Sequence, residues 1–214
     1  MSLKVECRQS FVSQSLADKF LNRFFASACG GENYLPNQAI VKQLAECQFT
    51  TTYYDYGRKA IGNFDCHEAA LPSGLCLFHD ENYLKEGEQK DRKEHEQKVR
   101  DKLMAKVHNS IDKKEVLFCI GYHLPGIAIR EIFPESVYFT DCKFQGIANF
   151  ISATFSGEKA DFDHAAFFDR TYFSDYSPDL GSFNGETTFN YVVFEAKEKI
   201  IFDVQDLSKV SFMN

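Results

Sequence analysis

The sequence predicts an α+β protein in which a small, mainly α-helical N-terminal region precedes a right-handed parallel β-helix. Three observations predict it. From Phe139 onward a large apolar residue recurs about every fifth or sixth position. Upstream, the stretch from Lys85 to Ile111 passes from unbroken charge to apolar residues at helical spacing. Between residues 47 and 80, cysteines, glycines and polar residues gather without periodicity. We place the helical region at residues 1–115 and the β-helix at residues 116–214.

The first element is an amphipathic helix. Ser15-Leu-Ala-Asp18 has the form of a capping box, Leu16, Phe20, Phe24 and Phe25 follow at helical spacing, and Gly30-Gly31 stops the pattern. Its polar face lacks the Lys/Arg richness of a membrane-surface helix, so its phenylalanines are expected to pack inside the protein. A second short helix is expected from Asn37 to Glu46. After the Cys-rich segment, a long charged helix is expected over about residues 84–112. Lys85 to Lys98 contains no apolar residue except Gly87, whereas Val99, Leu103, Val107 and Ile111 recur every fourth position. The first half should be solvated and the second half should pack.

The last element carries the most information. The series Phe139, Phe144, Phe150, Phe155, Phe162, Phe167, Phe173, Phe183, Phe189, Phe194, Phe202, Leu207 and Phe212 advances mostly in fives and sixes. Two places before each stands a residue such as Val137, Ala148, Ala153, Ala160, Ala165 or Thr171, nearly always small or β-branched. This period fits neither a helix nor a strand. A chain that turns a corner every five residues, with one large and one small side chain pointing inward per side, coils into a four-sided rod. Parallel pairing between coils satisfies the backbone, and the phenylalanines stack down the axis at about 4.8 Å per coil. A β-sandwich would need an alternation of period two, which is missing.

These residues, above all ANFISATFSGEKADFDHAAFF, resemble the pentapeptide-repeat family over Val137 to Phe212. The resemblance implies a quadrilateral β-helix of about three and a half coils. Steps of six to eight depart from the strict five, and Pro178 in the ten-residue gap from Phe173 to Phe183 marks a loop or deformed corner.

Cys47, Cys66, Cys76 and His79 are spaced C-x18-C-x9-C-x2-H. Zinc accepts four thiolate or imidazole ligands tetrahedrally, and a C-x2-H pair lets one turn supply two of them. Gly57 and Pro72-Ser-Gly74 provide turns that would bring in the others. The expectation is one closed, structural zinc site with no open position for catalysis. Buried thiols with a surface histidine are the alternative, and His67 is the substitute for His79. The segment ending Gly74-Leu-Cys76-Leu-Phe-His79 is also similar, more loosely, to zinc knuckles in the N-terminal region of some microbial pentapeptide-repeat proteins.

Composition narrows the function. The net charge is −7, and all of it belongs to residues 116–214, with seven Lys+Arg against fourteen Asp+Glu. Direct nucleic-acid binding through phosphates needs a basic face and is not expected. Seven irregularly spaced cysteines, no secretory leader pattern and no long apolar run predict a cytoplasmic protein without disulfides or a membrane span. Cys119-x3-His123 lies in LFCIGYHLP, expected to be a core strand rather than a nucleophile and base. Asp161 and Asp163 flank the inward Phe162 and are expected on the surface. Phosphate loops and catalytic carboxylate pairs are missing. The expected function is a non-enzymatic scaffold presenting an acidic β-helical surface to a protein partner that the sequence does not name. The resemblance also implies an alternative, a DNA mimic that modulates an enzyme such as DNA gyrase, although a rod of about 17 Å is short for that role. A homodimer through the coil holding Phe202, Leu207 and Phe212 would lengthen it.

Overall fold

A computed structural model describes residues 46–55, 59–174, 183–195, 200–204 and 206–213. The two helices expected before Cys47, and the loop around Pro178, lie outside the described residues. The described chain opens with an antiparallel hairpin, β1 (Thr50–Asp55) and β2 (Ala60–Asp65), in the register Thr50↔Asp65 to Asp55↔Ala60. A run of turns leads to the single described helix, α1 (Gln89–Lys113).

Helix α1 begins where the Glu88 amide donates to Asp91 Oδ2 at 3.1 Å. It ends where Lys114 enters the left-handed region (φ 55°) and its amide turns back to Ile111. Val99, Leu103, Val107 and Ser110 are buried, and the charged first two turns are exposed, as the spacing predicts. The buried stripe joins the same core as Leu117, Cys119 and Leu124. Arg100 donates to the Gly126 carbonyl at 3.3 Å and Lys106 to the Tyr122 hydroxyl at 2.8 Å, so α1 lies over the first coil of the β-helix.

From Leu117 the chain winds as a parallel solenoid with four faces. The first face stacks β3 (Leu117–Phe118), β7 (Val137–Tyr138), β11 (Lys159–Asp161), β14 (Glu186–Thr188) and β17 (Val210–Ser211). The second stacks β4 (His123–Leu124), β8 (Lys143–Phe144), β12 (Ala166–Phe167) and β15 (Val193–Phe194). The third stacks β5 (Ile127–Ala128), β9 (Ala148–Asn149), β13 (Thr171–Ser174) and β16 (Ile200–Asp203). The fourth pairs β6 (Ile132–Phe133) with β10 (Thr154–Phe155), to which Phe183 adds a bridge. A coil of 20 residues from Leu117 to Val137 widens to 27 from Ala160 to Thr187. Four coil rises make a rod about 19 Å long.

The interior is four phenylalanine ladders, one per face. Phe139, Phe162, Phe189 and Phe212 stack at 5.2, 4.8 and 5.2 Å. Phe144, Phe167 and Phe194 follow at 4.5 and 5.2 Å, and Phe150, Phe173 and Phe202 at 4.8 and 4.9 Å. Phe133, Phe155 and Phe183 close the set at 5.3 and 5.7 Å. Rings from neighbouring ladders meet edge to face, as Phe150 meets Phe162 at 80°, the geometry that aromatic quadrupoles favour. The solenoid starts one coil earlier than the phenylalanine series, because Cys119, Leu124 and Ile129 fill the central positions before Phe133. No helix among the described residues is long and apolar enough to cross a membrane.

Candidate metal centre

Hairpin β1–β2 explains the long first spacing of the Cys/His set. Cys47 lies just before β1 and Cys66 just after β2, so pairing of Thr50 with Asp65 brings the two cysteines together. The Cys47 amide donates to the Glu68 carbonyl at 2.8 Å and the Cys66 amide to that of Phe49 at 3.1 Å, which extends the pairing past the strands. The Pro72-Ser73-Gly74 turn closes with the Gly74 amide on the Leu71 carbonyl at 2.9 Å. Gly74 has φ +85°, a left-handed conformation that suits glycine. Its carbonyl accepts the Gln48 amide, which docks the third cysteine beside the hairpin. A final turn, with the His79 and Asp80 amides on the Cys76 carbonyl, presents Cys76 and His79 on one side.

The four ligand atoms lie within 4.8 Å of one another, and all four residues are buried. A tetrahedral zinc with metal–sulfur bonds of about 2.3 Å and metal–nitrogen bonds of about 2.0 Å needs sulfur–sulfur edges near ~3.8 Å and sulfur–nitrogen edges near ~3.5 Å. The observed separations are 3.8 Å for Cys66 Sγ to Cys76 Sγ, 3.4 Å for Cys47 Sγ to His79 Nδ1 and 3.2 Å for Cys76 Sγ to His79 Nδ1. The residues therefore fit a metal of this kind. The surroundings favour anionic sulfur at Cys76 alone of the three cysteines. The Cys76 amide points at Cys47 Sγ at 3.1 Å. The Cys66 thiol, pushed up, donates to Cys76, which this bond and His79 hold down to about 4. Cys47 is raised by burial. His79 Nε2 donates to the Ile120 carbonyl at 2.9 Å, which leaves Nδ1 as the lone pair facing the sulfurs.

Phe49 lies flat on His79, with ring centroids 3.8 Å apart, and Tyr122 meets the same imidazole edge-on at 5.0 Å. A Cβ on Gly121 would collide with the Phe49 ring, so that glycine admits the ring that seals the site. Phe49, Gly121 and Tyr122 escape sequence reasoning, because none is a ligand type and Gly121 and Tyr122 lie some forty residues downstream of His79. His67 is not in the cluster; it is exposed and faces Glu46 at 3.4 Å. Gly57 lies outside the described residues.

Cys119 is fully buried in the first coil, where burial pushes its thiol up to about 12, the opposite of an activated nucleophile. His123 sits on the next face and is met by Gln145 at 3.4 Å. Asp161 corrects the expectation of a surface charge. It points away from Phe162 yet is only 2% exposed, because Tyr138 and Thr188 flank it in register and Lys159 is buried beside it. Its Oδ1 accepts the Asp163 amide at 2.8 Å. Burial and then the Asp163 carboxylate raise its pKa to about 7. Asp163 is likewise engaged, accepting the Asn190 amide at 2.9 Å and its side-chain Nδ2 at 3.1 Å.

Among known proteins, residues 132–175 match the family model described as pentapeptide repeats (9 copies). No curated protein and no solved structure matches the chain significantly. The matched residues are ones that wind the four-faced coil, so this segment is similar to pentapeptide repeats in both sequence and strand stacking.

Proposed function

We propose that the chain is a non-enzymatic interaction scaffold whose N-terminal module is held by one structural zinc ion on Cys47, Cys66, Cys76 and His79. The observation that carries the scaffold reading is the filled interior. Phenylalanine ladders occupy the coil axis, so recognition falls to the outward residues, and repeat solenoids work through such surfaces. Zinc is favoured over harder cations by three sulfurs and one imidazole nitrogen, and four protein ligands leave no position for a reacting water. Affinity capture from the native cell with the zinc-loaded chain tests the scaffold reading. A partner retained by the native chain and lost on reversing outward charges is the expected result; retention of nothing specific contradicts it.

The charge of residues 116–214 supports a second reading, mimicry of a DNA duplex toward an enzyme such as DNA gyrase. Inhibition in a supercoiling assay that disappears on reversing the exposed Glu158, Glu186 and Asp203 would favour it. The last described coil suits self-association, since Leu207, Phe212 and Met213 are about half exposed there and the ladders of Phe202 and Phe212 end on that face. A C2 pair stacked through it would double the acidic rod.

A further inference from the structure

We propose that the metal centre is the latch that orders the first coil of the solenoid, so that metal binding and first-coil folding are one equilibrium. The latch rests on the proposed zinc site. A solenoid's first coil has a bare edge, with backbone donors and acceptors that later coils satisfy for one another. On the second face each strand takes a carbonyl from the coil before it. The Lys143 amide bonds Tyr122, that of Ala166 bonds Cys142, and that of Val193 bonds Ala165. The His123 amide occupies the same position in the first coil and has no earlier coil to bond. It bonds the Phe78 carbonyl instead, at 2.7 Å. His79 thus stands where the ladder partner of His123 would stand in a preceding coil.

Neighbouring groups agree. Beyond the first face the Thr140 carbonyl accepts the Gly121 amide of the coil before it, whereas the Ile120 carbonyl, at the same position in the first coil, has no earlier coil to serve it and accepts the His79 Nε2–H at 2.9 Å. The next donor due on the second face would come from residue 125, which is proline and has none. Phe78 stacks on Tyr122 with centroids 4.3 Å apart and planes 1° apart, as though continuing a ladder. The Cys76–His79 turn therefore acts as a short mimic of a preceding coil. Two of its residues are metal ligands, and the metal fixes that turn to Cys47 and Cys66. Without the metal, the turn loses the constraint that holds Phe78 and His79 at the edge.

Linkage makes the latch reciprocal: whatever the metal contributes to first-coil order, first-coil order contributes to metal affinity. The test uses the full chain with metal content measured in each sample. Amide hydrogen exchange is followed for His123 and for third-coil amides such as Phe162 and Ala166, before and after chelation and after one equivalent of zinc is returned. We expect His123 protection to fall at least about tenfold on stripping and to return with zinc, with the third coil unchanged. Unchanged His123 protection in metal-free protein overturns the latch, as does uniform loss along the solenoid. A chain that never binds metal overturns the metal reading and the latch with it. In a second arm, Ile129→Ala thins the first coil at a residue that is no ligand. Chelator competition should then show zinc affinity about fivefold weaker or more, and an unchanged affinity overturns the proposal.

Discussion

Phe162→Ala removes the best-supported ring of the solenoid. Phe162 is fully buried, stacked between Phe139 at 5.2 Å and Phe189 at 4.8 Å, and met edge-on by Phe150, Phe155 and Phe173. Transfer of a buried Phe side chain is worth about 1.5–3 kcal/mol. The cavity left between two rigid neighbours that cannot close on it raises the cost to roughly 4–5 kcal/mol, the upper part of the range for such truncations. Phe212 ends the same ladder with one stacked partner and is 53% exposed, so Phe212→Ala should cost about 1–2 kcal/mol on the same scale. Guanidinium unfolding of the two variants and the parent, at saturating zinc, reads both values if the slopes agree. Costs within about 1 kcal/mol of each other would refute the ladder account.

Asp163→Ala should cost about 1–3 kcal/mol, because it strips the partner from the Asn190 amide and side chain; a change below about 0.5 kcal/mol would return Asp163 to the status of an ordinary surface charge. Asp161 has a folded pKa raised to about 7, so between about pH 4 and 7 the unfolded chain releases this proton while the folded chain keeps it, and stability falls as pH rises. His123, held down to about 4 mainly by burial, acts in the opposite sense over much of that window. The readout is therefore the difference between the parent and Asp161→Asn, which should gain stability over the parent from pH 4 to 7; a constant difference contradicts the shift. Sedimentation equilibrium should show a dimer at high micromolar concentration that Phe212→Asp dissociates, and a monomer in both cases removes the proposed end-to-end contact.

The ladders were legible because a five-residue apolar period has few structural solutions, and phenylalanine marks it plainly from Phe139 onward. The first coil was harder to see, since Cys119, Leu124 and Ile129 fill the same inward positions with unlike side chains. That Cys47, Cys66, Cys76 and His79 gather into one cluster that could hold a metal was readable from residue type and the Cys76–His79 spacing. How Cys47 reaches Cys66 was not, because TTTYYD and AIGNFD lack a clean alternation and only their pairing reveals the hairpin. Asp161 shows a different limit. Orientation follows from local pattern, and the alternation around Phe162 points Asp161 outward correctly. Burial depends on what packs over a face, and residues such as Tyr53, which meets Tyr138 at 5.2 Å, arrive from far along the chain.

X-ray absorption at the zinc edge of the full chain, purified without chelator, tests the central claim most directly. The account predicts one equivalent of zinc in a four-coordinate shell of three sulfurs at about 2.3 Å and one nitrogen at about 2.0 Å, with the nitrogen contribution lost in His79→Ala and unchanged in His67→Ala. A folded chain that carries no zinc, or a zinc shell made of oxygen, would contradict it.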